Sequence, residues 1–490
     1  MTVRTKSHYG LFIDNQWIET AQSFASLNPA TEEPFARFPS ATPEDVDRAV
    51  LAARRAFDCG TWSGMAALER GRLLRRAAEL LRARTEEFAQ AETQDTGKPI
   101  FESRNVDIPA AADSLEYYGS LVVDLLGESI PVGSAALDYT VREPIGVVAA
   151  IVPWNFPLVL ACRKLAPALA AGNTVVIKPA SLAPLTTVML GEIFLDAGFP
   201  AGVVNIITGS GSVAGDALLR HPAVDKLSFT GSTEIGRSVL AASCEQICAC
   251  SLELGGKSPA VVLADAPLEQ TADGILFGAF LNQGECCCAA TRVLVDQRVH
   301  APLVEMLVEK TRRIVLGDGR EETSRMGPLI SAEHRRTIMD FVQSGIAEAG
   351  APVVGGGIPA GFPRGYYFEP TIFDHVPVNS RIYREEVFGP VLTVTAFDGE
   401  DALVAAANDT PYGLAASIWT GNAAVGQRLA PRIKAGTVWV NIHNFLFAQA
   451  PYGGFKQSGI GRELGREGLD MYTEVKNVIT WLAPDGFRWY

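Results

Sequence analysis

Basic residues are scarce in this 490-residue sequence, and its first residues lack a long apolar run. Lysine and arginine number 42 against 55 aspartate and glutamate residues, which gives a formal net charge of −13. Proteins that bind nucleic acid or an anionic membrane surface need basic patches, so we expect neither partner and expect small molecules instead. Residues 1–10 contain no apolar run of signal-peptide length, so the expected location is the cytoplasm.

Paired metal-binding cysteine motifs are also missing. The sequence has eight cysteines, at Cys59, Cys162, Cys244, Cys248, Cys250, Cys286, Cys287 and Cys288. None has the CxxC or Cys/His spacing of a structural zinc site, so no metal is predicted. Adjacent cysteines are poor disulfide partners, and a chain of this size needs no covalent staples, so reduced thiols are expected.

One apolar stretch, Ile145 to Cys162, has the minimum length for a membrane span. Gly146, Pro153, Asn155 and Pro157 interrupt it. These residues favour a buried strand over 146–152, a proline-fixed loop and a helix beginning near Leu158.

The rest of the chain alternates between strand and helix patterns. Apolar residues at helical spacing predict amphipathic helices over 42–57 and 66–96. From residue 146 onward, predicted strands over 147–152, 174–178, 203–208 and 224–229 alternate with helices. This order predicts an α/β fold with a parallel sheet, and ligands are expected beyond the carboxyl ends of its strands.

Two glycine-rich loops follow predicted strands. Gly209, Gly211 and Gly215 are spaced one residue off the dinucleotide fingerprint, so this match is weak. The second loop contains Gly231 and Ser232 and opens a helix, whose N-terminal amides suit a pyrophosphate. The alternative is that a hydroxyl there only caps the helix.

Three segments carry side chains suited to catalysis. The loop 153–157 places the amide of Asn155 where it can donate to an oxyanion. The apolar turn 252–257 holds Glu253, whose pKa burial should raise toward that of a general base. The segment 284–292 has cysteines among small residues, where a thiol can begin a helix and become a thiolate nucleophile. None of the six histidines lies in these segments, which argues against papain-like chemistry.

These motifs together resemble the aldehyde dehydrogenase superfamily over nearly the whole length. The resemblance runs from Asn28-Pro29-Ala30-Thr31 through the segment 95–99 to the tail around 451–454. The family patterns LELGGK and GxxCxAxxR match at Glu253 and Cys287, and the second pattern selects Cys287 among the three adjacent thiols.

The resemblance implies an NAD or NADP site. The residues it assigns to the cofactor are Ile151, Trp154, Lys178, Ser181, Gly211, Gly215, Phe229, Gly231, Ser232, Ile235, Leu254, Gly255, Glu386 and Phe388. Many NAD-preferring members carry a glutamate where this chain has Ser181. The carboxylate that would repel a 2′-phosphate is therefore absent, and we expect NADP to be tolerated.

The resemblance also implies the reaction. The Cys287 thiolate attacks an aldehyde carbon, and the Asn155 side chain and the Cys287 amide hold the oxyanion. Hydride then leaves for the nicotinamide, and a water that Glu253 deprotonates hydrolyses the thioester to a carboxylic acid. Having Glu253 favours hydrolysis over acyl transfer to coenzyme A.

The residues predicted to contact the substrate are compatible with two classes of aldehyde. Arg163 stands where many members have tryptophan, and it either binds the carboxylate or hydroxyl of a semialdehyde or hydroxyaldehyde, or points away in an ordinary ion pair. The remaining predicted wall residues are Phe156, Cys286, Cys288, Phe445 and Leu446, and an apolar mouth formed by the last two fits uncharged aliphatic or aromatic aldehydes instead. Cys286 or Cys288 packs the substrate wall or protects Cys287 by reversible oxidation.

The family fold implies a Rossmann-like cofactor domain (1–119 and 145–252), an α/β catalytic domain (253–470) and an oligomerisation β-arm (120–144 and 471–490). Residues 471–482 alternate apolar and polar residues, as an edge strand of a sheet would. Because an unpaired edge strand is a liability unless another subunit covers it, a homodimer or homotetramer is expected. Two other functions stay open: a cofactor-independent Cys/Glu/Lys amidohydrolase and a non-catalytic binding protein.

Overall fold

Two large sheets, each packed against helices, form the framework of the protein. The computed structural model describes residues 6–483, 486 and 489. The first sheet has eight strands, in the spatial order Gly459–Ile460, Ala249–Glu253, Lys226–Thr230, Val147–Val152, Thr174–Pro179, Val204–Ile206, Leu11–Ile13 and Gln16–Ile18. The second has six, in the order Thr371–Phe373, Val391–Phe397, Arg292–Asp296, Pro259–Val262, Ala415–Trp419 and Thr437–Val440. The central five strands of the first sheet and all pairs of the second are parallel, which confirms the α/β prediction.

The strand Val147–Val152 explains the apolar stretch of the sequence. Val148, Ala150 and Val152 pack into one apolar cluster, whereas Val147 and Ala149 pack into another on the opposite face. A strand covered on both faces is continuously apolar. The stretch is therefore a central sheet strand followed by a helix, as predicted, and in the part of the chain that the structure describes no helix combines the length and apolarity needed to cross a membrane.

Helices connect and cover these strands. Their bounds are Pro43–Asp58, Ala67–Ala83, Thr85–Thr96, Ile100–Glu102, Ile108–Leu121, Pro157–Ala171, Leu185–Ala197, Asp216–Leu219, Thr233–Gln246, Leu268–Phe280, His300–Thr311, Ala332–Ala349, Arg381–Arg384, Gly399–Asn408, Ala423–Leu429 and Gly465–Asp470. Short π segments span Ser103–Asp107 and Gly211–Gly215, and 3₁₀ turns span Val122–Asp124, Leu281–Gly284, Ala430–Arg432 and Lys456–Ser458.

Local sequence accounts for several helix ends. Thr42 and Asp45 form a reciprocal capping box before Pro43–Asp58. The helix after the loop begins at Pro157, because a proline is well tolerated at the first helical position, and it ends at Gly172, whose φ of 101° is easily adopted only by glycine. The helix predicted over 66–96 is wrong in one respect, since Arg84 leaves helical geometry and splits it in two.

The remaining strands form two small antiparallel sheets. One pairs Ser23–Leu27 with Pro34–Pro39, and the other has the order Thr473–Trp481, Ala136–Pro144 and Ser129–Ile130. Thr473–Trp481 lies within the predicted tail strand and at the outside of its sheet. The domain boundaries stay a prediction, and residues 1–5, 484, 485, 487, 488 and 490 of the predicted domains and arm lie outside the described residues.

Candidate active site

A cavity of about 990 Å³ lies beyond the carboxyl ends of the strands Val147–Val152, Lys226–Thr230 and Ala249–Glu253. Loops that precede or follow strands of the second sheet form its other side. The predicted residues that line it are Trp154, Asn155, Phe156, Arg163, Gly231, Ser232, Glu253, Leu254, Gly255, Cys286, Cys287, Cys288, Glu386, Phe388, Phe445 and Leu446. Ile151, Lys178, Ser181, Gly211, Gly215, Phe229 and Ile235 are not part of this lining.

Asn155 is buried, and its loop is held by polar contacts on both sides. Its Nδ2 donates to the Glu285 carbonyl at 2.9 Å, which leaves the second hydrogen of that amide nitrogen available. The Asn155 backbone carbonyl accepts from Lys98 Nζ and from Asn282 Nδ2, each at 2.9 Å. The amide is thus fixed before any substrate arrives, as a preorganised oxyanion donor must be.

Lys98 is the centre of a fully buried charge cluster behind Asn155. Its Nζ lies 2.7 Å from Asp107 Oδ2, 3.8 Å from Glu92 Oε1 and 4.2 Å from the centre of the Phe156 ring. Burial raises the pKa of Glu92 and of Asp107, and the Lys98 charge opposes both shifts. This cation therefore anchors the loop and also favours the ionised form of two buried carboxylates.

Cys287 lies in a turn at the bottom of the cavity and is partly buried. The expectation that it begins a helix is wrong. Residues 285–291 form a turn and an irregular segment, and the chain runs from there into the strand Arg292–Asp296. The Cys287 Sγ atom lies 3.6 Å from the hydroxyl of Tyr452.

The three neighbouring thiols influence one another. The Cys286 thiol lowers the pKa of Cys287, the Cys288 thiol and burial raise it, and the net result is a rise to about 12. Together these influences disfavour the thiolate form of Cys287. The Sγ atoms of Cys286 and Cys288 are 3.6 Å apart, and Cys288 Sγ donates to Asn444 Oδ1 at 3.0 Å.

Glu253 ends its strand as a buried carboxylate, and its buried Oε2 atom has no hydrogen-bond partner among the residues that the structure describes. Burial, followed by the charge of Glu463, raises its pKa well above the usual range, as the sequence predicted. Lys164 opposes this rise, and its Nζ is paired with Glu463 at 2.8 Å. A carboxylate with a raised pKa and a free oxygen is suited to accept a proton.

A turn beside Glu253 has the features of a phosphate site. The Gly231 amide donates to the Glu253 carbonyl at 3.1 Å, which fixes the turn, and Ser232 caps the helix Thr233–Gln246 by accepting from the Ile235 amide at 3.3 Å. Ser232 therefore caps the helix, and its hydroxyl hydrogen can still donate to a phosphate, so the two interpretations of this turn are compatible. The Thr230 hydroxyl lines the cavity and is buried, with no hydrogen-bond partner within residues 6–483, 486 and 489. The helix terminus and this free hydroxyl fit a pyrophosphate.

A second group of predicted residues lies together at the ends of the neighbouring strands. Burial lowers the pKa of Lys178 to about 8, and its Nζ donates to the Pro179 carbonyl at 2.9 Å. An added Cβ on Gly215 would lie 3.7 Å from Lys178 Cε. The Ser181 hydroxyl donates to the Gly209 carbonyl at 2.8 Å, which joins the two loops. Of the other predicted residues, Ile151 is partly buried, Phe229 is buried, and Gly211 and Ile235 are exposed.

Glu386 and Phe388 form the opposite wall. Glu386 Oε1 accepts from the Gly256 amide at 3.0 Å, and burial raises its pKa to about 8. A Cβ on Gly255 would lie 2.0 Å from Glu386 Oε2, so any residue larger than glycine would displace the carboxylate. The Phe388 ring meets Trp154 edge to face at 5.4 Å. Leu254 packs over Gly236 in the helix that Ser232 caps.

The substrate side combines a cation with aromatic rings. Arg163 lines the cavity with its guanidinium 5.7 Å from the centre of the Tyr452 ring. Within residues 6–483, 486 and 489 no carboxylate forms an ion pair with it, so it does not make the ordinary salt bridge considered above. Phe277 and Phe445 pack at 5.9 Å near the mouth, which Leu446 also lines.

Several residues of the site escaped sequence reasoning. Tyr452, Lys98, Lys164, Glu463 and Asn282 touch or support the predicted residues, yet each is an ordinary polar residue in its local sequence. For Lys164, which directly follows Arg163, the sequence did offer one clue. A charged residue in an otherwise apolar helix needs a buried partner of opposite charge. The sequence predicts no metal site. The structure nevertheless contains two groups of three side chains whose possible ligand atoms lie within 4.8 Å of one another inside each group. One group is Cys286, Cys287 and Cys288, and the other is His300, Asp374 and His375.

Fold and cavity together bring a cysteine thiol, a buried carboxylate and a glycine turn to the carboxyl ends of parallel strands in an α/β protein. The model of the aldehyde dehydrogenase family matches residues 17–478. The chain belongs to the aldehyde dehydrogenase family, as the sequence resemblance predicted.

Known proteins of this family are similar over almost their entire length. Betaine aldehyde dehydrogenase of Bacillus subtilis (strain 168) is 43% identical over 98% of this chain and 99% of its own. The NAD+ complex of an aldehyde dehydrogenase from Bacillus cereus has a TM-score of 0.96 at 41% identity, with 97% of each chain covered. Betaine aldehyde dehydrogenase from Staphylococcus aureus in complex with NAD+ has a TM-score of 0.96 at 39% identity, covering 98% of this chain and 97% of that one.

Proposed function

We propose that this protein oxidises an aldehyde to a carboxylic acid with NAD+ or NADP+, through a thioester on Cys287. The observation that carries the proposal is the convergence of Cys287, Asn155 and Glu253 on one cavity. The cofactor-site residues predicted above, from Ile151 to Phe388, are part of the proposal. NAD+ complexes of similar enzymes support it.

Cys287 is the nucleophile in this mechanism. Because its pKa is raised, its proton must leave before attack, and Glu253, with a free buried oxygen, is suited to receive it. The sulfur then bonds to the aldehyde carbon while the carbonyl oxygen becomes an oxyanion. The free N–H of Asn155 donates to that oxygen.

Cofactor chemistry and hydrolysis complete the turnover. The Gly231 turn and Glu386 would hold NAD+ or NADP+, which would supply the hydride acceptor that converts the adduct on Cys287 into a thioester. Glu253 releases the cysteine proton to solvent and then, ionised again, removes a proton from a water molecule, which attacks the thioester carbon. The acid is released, and the thiolate leaves and regains a proton.

Ser181 is the basis for proposing that NADP+ is accepted. Its hydroxyl donates to Gly209, and it offers no carboxylate to repel a 2′-phosphate. We expect similar kcat/KM values for the two cofactors. Ser181→Glu should select NAD+ strongly, while Ser181→Ala should leave the ratio near that of the wild type. A wild-type preference of a hundredfold or more for NAD+ would contradict this proposal.

Arg163 is the basis for the proposed substrate class, an aldehyde that carries a carboxylate or hydroxyl group at its far end. The guanidinium faces the cavity without an ion-pair partner among the described residues, and a carboxylate would satisfy it bidentately. The same charge disfavours a quaternary ammonium group, so betaine aldehyde is expected to be a poor substrate.

The test compares a semialdehyde with an uncharged aldehyde of similar length in wild type and in Arg163→Ala. Losing a hydrogen bond to a charged group costs about 1.5–3 kcal/mol, so kcat/KM for the semialdehyde should fall about tenfold to hundredfold. The uncharged aldehyde should change little. Phe445→Ala, which removes apolar wall instead, is the matched control. An equal loss for both aldehydes in Arg163→Ala would favour the apolar-mouth interpretation.

One assay tests the reaction class itself. Aldehyde-dependent reduction of NAD+ or NADP+ should occur in wild type and be lost in Cys287→Ala. Amide hydrolysis without any cofactor would instead support the amidohydrolase, and neither activity would support a binding protein.

A further inference from the structure

The three consecutive thiols form more than a wall beside the nucleophile. The Sγ atoms of Cys286, Cys287 and Cys288 all lie within 4.8 Å of one another. All three are free, and the 3.6 Å between Cys286 Sγ and Cys288 Sγ is far longer than a disulfide of about 2 Å. Backbone geometry has therefore gathered three sulfur atoms around one point without bonding them.

One of the three sulfur pairs has the spacing of a metal coordination sphere, and the other two pairs lie within 4.8 Å. Zinc bonds to cysteine sulfur at about 2.3 Å in tetrahedral sites, which places two ligand sulfurs about 3.8 Å apart. The Cys286 and Cys288 sulfurs are within a few tenths of an ångström of this value. Sulfur ligands also select soft and borderline cations over magnesium or calcium.

The surroundings leave room for a fourth ligand and an entry path. Cys287 is only partly buried and faces the cavity, and the Tyr452 hydroxyl lies 3.6 Å from its sulfur. The Asn444 side-chain oxygen lies 3.0 Å from the Cys288 sulfur. A cation arriving through the cavity would thus meet three sulfurs, with one position open to water.

We propose that Cys286, Cys287 and Cys288 form a binding site for a thiophilic divalent cation such as Zn²⁺, and that the bound cation reversibly blocks the nucleophile. On binding, three S–H bonds break, three metal–sulfur bonds form, and three protons pass to solvent. No oxidation is involved. Cation binding does not depend on the proposed function, whereas the block of aldehyde oxidation rests on it.

Cobalt is the spectroscopic probe of this site. Co²⁺ added to the TCEP-reduced full-length protein should give a sulfur-to-cobalt charge-transfer band. The band should weaken in Cys286→Ser, Cys287→Ser and Cys288→Ser, and the Zn²⁺ dissociation constant should rise at least about tenfold, the change that loss of even an outer contact causes at metal sites. Cys59→Ser, at an exposed thiol elsewhere, should change neither.

His375→Ala tests the competing donor group, because His300, Asp374 and His375 could also hold the cation. It should leave the charge-transfer band unchanged. The proposal would be overturned if the cobalt spectrum of the wild type lacked a sulfur-to-cobalt band. It would also be overturned if His375→Ala abolished that band.

A second measurement needs no variant. The alkylation rate of each thiol in wild type is followed by mass spectrometry with and without Zn²⁺. Zn²⁺ should slow alkylation of Cys287 at least about tenfold and leave exposed Cys59 unaffected, and EDTA should restore both alkylation and aldehyde oxidation. Equal Cys287 alkylation with and without Zn²⁺ would refute the site. Protection without inhibition would instead leave the site in place and contradict the assignment of Cys287 as nucleophile.

Discussion

Replacing Lys98 by methionine should test whether the buried cation supports both the fold and Asn155. Lys98 is fully buried, and its Nζ contacts Asp107 at 2.7 Å and the Asn155 carbonyl at 2.9 Å. Removing one partner of a buried ion pair costs about 3–5 kcal/mol because the other charge stays buried. We expect a loss of this size in the free energy of unfolding by urea at pH 8.

The loss should depend on pH with a definite sign. Without Lys98, burial raises the pKa of Asp107 and Glu92 further above the unfolded values. A carboxyl group with a raised pKa in the folded state contributes stability below its unfolded pKa, and that stability disappears as the pH rises through the folded pKa. The penalty should therefore be larger at pH 8 than at pH 5.

The matched control is Lys226→Met, at a buried lysine away from the cavity. In the described part of the chain the Lys226 Nζ atom has no hydrogen-bond partner and lies 5.1 Å from the centre of the Tyr472 ring, and burial lowers the pKa of Lys226 to about 8. Removing an unpaired buried ammonium should be neutral or stabilising. The kcat of Lys98→Met should also fall about tenfold or more, toward the 10²–10³ lost with an oxyanion donor. An unfolding free energy within 1 kcal/mol of wild type, or an equal loss in both variants, would refute this reasoning.

Three further variants test separate features. Lys164→Met removes a charge that lowers the pKa of Glu253, so the acid limb of the kcat profile should move to higher pH, since Glu253 must be ionised to act. Gly255→Ala places a Cβ 2.0 Å from Glu386 Oε2, so the Glu386 carboxylate should move and the dissociation constant for NAD+ should rise about tenfold, as expected for one lost hydrogen bond of about 1.4 kcal/mol. Val475→Asp puts a charge on the outer tail strand, where Val475 is 58% exposed, and should shift the molecular mass from an oligomer toward the monomer in analytical ultracentrifugation.

Each of these variants has a control or a contrary result. An acid limb that stays in place or moves to lower pH in Lys164→Met contradicts the electrostatic explanation. Gly357→Ala, whose nearest neighbour lies 3.6 Å from an added Cβ, should bind NAD+ as wild type does. For Val475→Asp, Val475→Thr is the matched variant without charge, and an unchanged mass in both would remove the tail strand as the interface.

The framework of the site could be predicted because its signals are local. The strand Val147–Val152 and the helix Pro157–Ala171 follow from an apolar run and two prolines. The single helix expected over 66–96 was wrong because Arg84 turns out of helical geometry, and its side chain pairs with Glu87 and with distant Glu192.

The supports of the site could not be predicted because they depend on distant contacts. Nothing near Lys98 in the sequence indicates that its amine reaches the carbonyl of Asn155. The turn that precedes Cys287 also depends on distant contacts: Asn282 and Gln283 have left-handed backbone, and the Asn282 amide donates to Glu102 Oε2 at 2.9 Å, although the two residues lie far apart in sequence. Motifs therefore locate the reacting groups, while the contacts that orient them emerge only on folding.

Two adjacent cationic residues on one helix should control two different properties of the proposed enzyme. Arg163 and Lys164 are consecutive on Pro157–Ala171, and successive residues of an α-helix point about 100° apart. Arg163 therefore faces the cavity, whereas Lys164 turns into the protein to pair with Glu463 behind Glu253. Substrate charge preference should then follow the first residue alone, and the pH at which Glu253 ionises should follow the second. Because the two side chains contact different groups, their substitutions should be independent in a double variant, and a shifted acid limb in Arg163→Ala would show that the helix couples them after all.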